Sequence, residues 1–129
     1  MAYEPSLDEL MFFDGKPTEL RLYLSFMEDL LARFSDIGVR VQKTQITLTN
    51  PKVFACASFA KVRKAKERPG EYIVVSFGLG QRLCSPRIDA ASEPYPGRWT
   101  NHVTLGQPDE INGELMGWVE EAYRFSKAK

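Results

Sequence analysis

Between Thr18 and Ser35 the apolar side chains Leu20, Tyr23, Leu24, Met27, Leu31 and Phe34 recur at intervals of three and four. That spacing puts them on one stripe of an amphipathic α-helix over about 18–35. Pro17 suits the first turn of this helix, where a missing N–H costs nothing, and Gly38 lies just beyond its end. A lone helix cannot bury such a stripe, so the rest of the chain must supply a matching apolar surface.

Strands supply it. Ahead of the long helix, Ser6-Leu7-Asp8-Glu9 matches a capping box and predicts a short helix over 7–12, ended by Asp14-Gly15-Lys16-Pro17. After it, Val39 to Thr49 reads as a strand, Asn50-Pro51 as a turn and Val53 to Ala60 as the partner strand. A two-residue turn sets Leu48 against Val53, Ile46 against Ala55, Thr44 against Ala57 and Gln42 against Phe59, which is one mainly apolar face. Val41, Lys43, Gln45 and Thr47 then share the other face with Phe54, Cys56, Ser58 and Ala60. Tyr72 to Leu79 is a third strand, with Ile73, Val75, Phe77 and Leu79 on one side and Tyr72, Val74 and Ser76 on the other.

Ser85-Pro86-Arg87-Ile88 is expected to lead into a fourth strand, and Tyr95-Pro96-Gly97-Arg98 to turn it into a fifth, Trp99 to Leu105. With Pro96-Gly97 as the loop, Pro94 meets Trp99, Ala90 meets Val103 and Ile88 meets Leu105. Asp89, Ala91, Glu93 and Tyr95 fall on the opposite face with Thr104, His102, Thr100 and Arg98. Pro108-Asp109-Glu110 should open a last helix whose stripe is Ile111, Leu115, Trp118, Val119 and Ala122. The expected fold is α+β: one domain over residues 1–129, with roughly five antiparallel strands and the N- and C-terminal helices packed on one face. Its core should join Ile46, Leu48, Val53, Ala55, Ile73, Val75, Phe77, Val103 and Leu105 to Leu24, Leu31, Leu115 and Trp118.

Charge narrows the function classes. Seventeen Lys and Arg balance seventeen Asp and Glu, unlike the strongly basic balance of dedicated nucleic-acid binders. The balance is uneven along the chain: net −5 over 1–36, +7 over 37–68 and −2 over 69–129. Five of the central bases sit in Lys61-Val62-Arg63-Lys64-Ala65-Lys66-Glu67-Arg68, beside Pro69-Gly70; this run reads as a solvated loop, with phosphate contact as the weaker alternative. Cys56 and Cys84 stand 28 residues apart without metal-ligand spacing, so both are expected to be reduced thiols in a cytoplasmic protein. No basic segment leads into an N-terminal apolar run, and no run approaches the roughly 20 residues that span a bilayer, so no membrane partner is expected.

The motifs of common enzymes are missing: no GxSxG, HExxH, Walker loop or CxxC, and Phe77-Gly78-Leu79-Gly80 lacks the third glycine of a dinucleotide fingerprint. One histidine excludes multi-histidine metal sites, and no cofactor is implied. The positive signal comes from the registers. They put Lys43, Gln45, Cys56, Ser58, Ser76, Glu93, Arg98 and His102 on the sheet face away from the helices. Glu93 opposite Thr100 would have Arg98 and His102 as diagonal neighbours, within reach of long side chains. Lys43, Gln45, Ser76, Glu93, Arg98 and His102 are therefore the candidate ligand-binding set. Arg98 with a protonated His102 suits anion capture, and Glu93 orienting His102 suits acid–base chemistry. A solvent-exposed charge cluster is the structural alternative. The favoured function is a non-enzymatic binding or accessory module, its open face covered by an anionic small molecule, a protein partner or a second copy in a homodimer. The alternative is a small enzyme acting on an anionic substrate with His102 as acid or base.

Five segments together carry a family likeness. They are Phe12-Phe13-Asp14-Gly15-Lys16-Pro17, Val41-Gln42-Lys43-Thr44-Gln45-Ile46, Tyr72-Ile73-Val74-Val75-Ser76-Phe77-Gly78-Leu79-Gly80, Ser85-Pro86-Arg87-Ile88 and Glu93-Pro94-Tyr95-Pro96-Gly97-Arg98-Trp99. Over about Phe12 to Phe125 the chain resembles an uncharacterised bacterial family, a domain of unknown function. The final hairpin and helix are also distantly similar to the MmcQ/YjbR-like fold, sometimes labelled DNA-binding. The resemblance implies a small α+β domain and transfers no catalytic residue.

Overall fold

A computed structural model describes residues 3–128. Helix α1 (Leu7–Phe12) starts where the capping box puts it: Ser6 Oγ accepts from the Glu9 N–H at 3.2 Å, and Glu9 Oε1 accepts from the Ser6 N–H at 2.7 Å. Glu9 does more than cap. Its carboxylate is buried, and the hydroxyls of Tyr3 and Tyr23 both donate to it. Tyr23 lies on α2 (Pro17–Arg33), so one carboxylate ties the N-terminal turn to the long helix.

The buried line of α2 is Leu22, Tyr23, Phe26, Met27 and Leu30, while Leu20, Leu24, Leu31 and Phe34 are only partly buried. The expected stripe is therefore rotated about the helix, keeping Tyr23 and Met27. Apolar residues occupy two adjacent faces of α2, and the sheet decides which one goes deepest.

Among the described residues six strands form one antiparallel sheet: β1 (Gly38–Val41), β2 (Gln45–Thr49), β3 (Val53–Ser58), β4 (Ile73–Leu79), β5 (Ala90–Tyr95) and β6 (Arg98–Leu105), in the order β1-β2-β3-β4-β6-β5. The sixth strand arises because the segment expected as one strand over 39–49 folds back on itself. The Gln42 N–H donates to the Gln45 carbonyl at 2.8 Å, and Val41 pairs with Ile46. Val41 thereby joins the helix-side face rather than the open one, and Lys43 moves to the exposed turn.

Between β2 and β3, Leu48 opposes Ala55 and Ile46 opposes Ala57, two residues from the expected register. A slip of two keeps every side chain on its face, so the predicted core survives the error. A register shift beside Thr49 turns Phe54, expected on the open face, into the core, where it meets Tyr123 edge-on at 5.3 Å. Val53, expected in the core, is exposed at the same irregularity.

Helix α3 (Gly113–Lys127) covers β3 and β4 with Leu115, Met116, Val119 and Ala122. It begins later than expected. Pro108–Glu110 forms a separate 3-10 turn, and Asn112 is the true N-cap, its Oδ1 accepting from the Leu115 N–H at 3.1 Å. Trp118 is half-buried and stacks on Phe77, with ring centroids 6.2 Å apart. Among the described residues no helix is long and apolar enough to cross a membrane.

Candidate functional site

The last hairpin decides which polar groups meet. Gly97, at φ +85°, takes the left-handed position of the Tyr95-Pro96-Gly97-Arg98 turn, a conformation that any side chain would strain. Tyr95 pairs with Arg98 as expected, but the register then shifts, so that Ser92 opposes Thr100 and Ala90 opposes His102. The shift falls at Glu93-Pro94. Pro94 has no N–H for the ladder, and the exposed Glu93 carboxylate turns back to accept from the Gly97 N–H at 3.2 Å. Glu93 therefore does not sit between Arg98 and His102, and the expected trio does not assemble. Ser85–Ile88 is a turn rather than the start of a strand: Ser85 Oγ accepts from the Arg87 N–H at 3.2 Å and its carbonyl from the Ile88 N–H at 3.1 Å.

The inner strands do bring polar groups together. Thr47, Cys56, Ser76 and His102 stand side by side across β2, β3, β4 and β6 on the face away from α3. Ser76 Oγ lies 2.6 Å from His102 Nδ1 and is also within hydrogen-bonding reach of the Cys56 thiol. Gly78, one row along and about 7 Å away, forms a bed for the Arg98 guanidinium. A Cβ at Gly78 would stand only 2.6 Å from Arg98 Nη2, so the close approach requires glycine. Cys56, Ser76, Arg98 and His102 line a concave depression of about 300 Å³. It contains Gln45, Ser76, Arg98 and His102 from the candidate set, and Cys56 and Thr100 besides. Lys43 and Glu93 lie outside it, on their exposed turns. Gly78 was missed as a site residue. Its signal in the sequence is a glycine inside a strand of mostly apolar residues, the mark of something packed against the backbone.

Electrostatics set the state of each group. Burial holds the His102 imidazole below its ordinary pKa, and the nearby Asp89 charge offsets only part of that. The imidazole is therefore neutral at neutral pH, not the protonated partner expected for anion capture. Burial pushes the Cys56 thiol up, with Ser76 opposing, so it stays protonated and weakly nucleophilic. The half-buried Arg98 finds no hydrogen-bond acceptor or carboxylate among the described residues. The His102 shift predicts acid sensitivity. A depressed folded pKa gives stability that is complete above about 6.5, the ordinary value, and lost as pH falls through the folded one. Urea midpoints should fall between pH 7 and pH 5, and less so in His102→Gln; identical declines in the two proteins would show that His102 is not responsible.

A family model described as Domain of unknown function (DUF5655) matches residues 11–126. The chain belongs to this family. The span matched in the DUF5655 comparison includes every residue of the depression. No curated protein and no solved structure matches the chain. Among its described residues, no group of three or more His, Cys, Asp or Glu could hold a metal ion.

The basic run of this DUF5655 chain is partly engaged. Arg63 Nε donates to Asp89 Oδ1 at 2.7 Å, and Asp89 Oδ2 accepts from the Thr104 N–H at 2.8 Å. Lys61, Lys64 and Lys66 are exposed. With one of the bases committed to the fold and the chain neutral overall, little nucleic-acid binding is expected. Fluorescence anisotropy with duplex DNA and single-stranded RNA should show no tight complex. Affinity that falls steeply with salt and disappears in the Lys61, Lys64 and Lys66 to Ala variant would reverse this.

Proposed function

We propose that this protein is a non-enzymatic binding module that takes a small anionic ligand on its open sheet face, with Arg98 as the anchor. The observation that carries the reading is the guanidinium bedded on Gly78 inside a depression, with no acceptor among the described residues. Five N–H donors held in a fixed fork favour a planar or tetrahedral oxyanion, and partial burial strengthens that attraction. Gln45, Ser76 and the neutral His102 serve as uncharged hydrogen-bonding groups around the ligand. Lys43, on its turn outside the depression, adds only long-range attraction. Two unbridged cysteines, one of them exposed, support a reducing cytoplasm as the setting.

The test is an NMR screen of the ¹⁵N-labelled protein against pooled organic and inorganic anions, read at Arg98 Nε and the His102 ring. Responding anions should lose at least about tenfold in affinity in Arg98→Ala, one strong charge-assisted contact being worth that much. Gly78→Ala should weaken binding too, while changing stability by no more than about 1 kcal/mol, since the added Cβ meets the flexible end of a side chain. Undiminished binding in both variants would end the reading.

The 2.6 Å contact between Ser76 and His102 favours a second reading, an enzyme acting on an anionic substrate with His102 as acid or base. It requires turnover that Arg98→Ala weakens and His102→Gln abolishes.

A further inference from the structure

Resting on the anion-site reading above, we propose that the depression accepts a small monocarboxylate with an apolar body, rather than a phosphate or a nucleotide. The charge count comes first. Among the described residues Arg98 is the only cationic side chain lining the depression, Lys43 stands apart on the β1–β2 turn and His102 is neutral at neutral pH. One guanidinium balances a monoanion. A phosphate monoester, carrying close to two charges near neutrality, would keep one of them uncompensated beside a partly buried sheet.

Shape and size agree with this. The flat fork of Arg98 lies across the bare Gly78 backbone, which holds its plane along the sheet and presents paired N–H groups suited to a carboxylate. Beyond the guanidinium the wall is mostly carbon, with Val53 and Ala60 at its rim and the protonated Cys56 on its floor. About 300 Å³ is at the small end of ligand pockets and matches a short-chain or single-ring acid. The Ser76–His102 pair, one row from the guanidinium, can accept or donate a hydrogen bond to a single polar substituent on that body.

Titrations of the full chain with benzoate, hexanoate, acetate, inorganic phosphate, phenyl phosphate and benzamide separate the terms. Benzoate or hexanoate should shift Arg98 Nε and the His102 ring and bind at least about tenfold more tightly than acetate, which lacks the apolar body. Benzamide should bind at least about tenfold more weakly than benzoate, because it lacks the charge. Arg98→Gln should abolish the response. Arg98→Lys, which keeps the charge but loses the fork, should retain a weakened one and so shows that loss in the first variant is not misfolding. Tighter binding of phenyl phosphate or phosphate than of benzoate overturns the carboxylate class while leaving an anion site in place. Equal affinity for acetate and hexanoate overturns the apolar body. A panel in which no anion moves Arg98 overturns this proposal and the anion-site reading together.

Discussion

Replacing Glu9 by alanine should lower folding stability by about 3 kcal/mol, a large effect for a residue on a six-residue helix. The carboxylate is the common acceptor for the Tyr3 hydroxyl, the Tyr23 hydroxyl and the Ser6 N–H. Tyr23 is fully buried, so its hydroxyl would lose its charged acceptor and keep only the Tyr3 hydroxyl as a neighbour. Helix α1 would lose its capping box and is too short to persist on its own. Urea denaturation should show the loss. In the Glu9→Ala background, Tyr23→Phe should recover part of it by removing the stranded hydroxyl, and that coupling distinguishes the cluster from simple loss of helix propensity. Burial and the Glu9 charge also raise the pKa of both Tyr3 and Tyr23 above the ordinary phenol value. Groups raised in the folded state contribute stability that is complete below about pH 10 and lost as pH climbs toward the folded values. Stability should therefore decline in alkali, less steeply in Tyr23→Phe. A Glu9→Ala loss below about 0.5 kcal/mol, within the range of ordinary surface substitutions, would show that the cluster does not hold the N-terminal turn.

How legible the fold was depended on the kind of error each signal tolerates. Capping chemistry placed α1 to the residue, because Ser6 and Glu9 satisfy each other through short, local bonds. Strand periodicity placed Ile46, Leu48, Ala55, Ile73, Val75, Phe77, Val103 and Leu105 in the core even where the β2–β3 register was wrong, since a slip of two preserves the faces. It failed at Val39 to Thr49, where an alternating run conceals a hairpin: the turn at Gln42-Lys43-Thr44 has no Gly, Pro, Asn or Asp to announce it. It failed again at Glu93-Pro94, where a slip of one moves side chains to the other face and removes Glu93 from the site. The four candidate residues that do meet lie on the central strands, or on a strand paired directly with them, where no bulge intervenes. Arg98 shares a face with His102 because both belong to β6, whose pairing with β4 is unbroken from Ile73 to Leu79. That guanidinium's resting place on Gly78 is a tertiary contact: a strand glycine marks a close approach, but no local pattern names the side chain that makes it.

Asp89→Ala should cost about 2–3 kcal/mol and loosen the basic segment at the same time. This carboxylate, with its side chain 9% exposed, is the partner of Arg63 and also accepts the Thr104 N–H. Without it the guanidinium loses its partner and the backbone donor beside β5 is left to find water. Residues 61–68 should then become more sensitive to trypsin, since their exposed lysines lose the Arg63 tether. The same change reaches the depression. Asp89 is the charge that partly offsets the burial of His102, so removing it should lower the imidazole pKa further and extend the neutral form to lower pH. Asp89→Asn separates the two effects: the amide keeps an acceptor for one of the two donors and retains more of the stability, yet it has lost the charge. NMR titration of the His102 ring in that variant should give a pKa below that of the unmodified chain. If the ring titrates unchanged while stability falls, Asp89 is a structural clasp with no electrostatic influence on the site, and burial alone governs the protonation of His102.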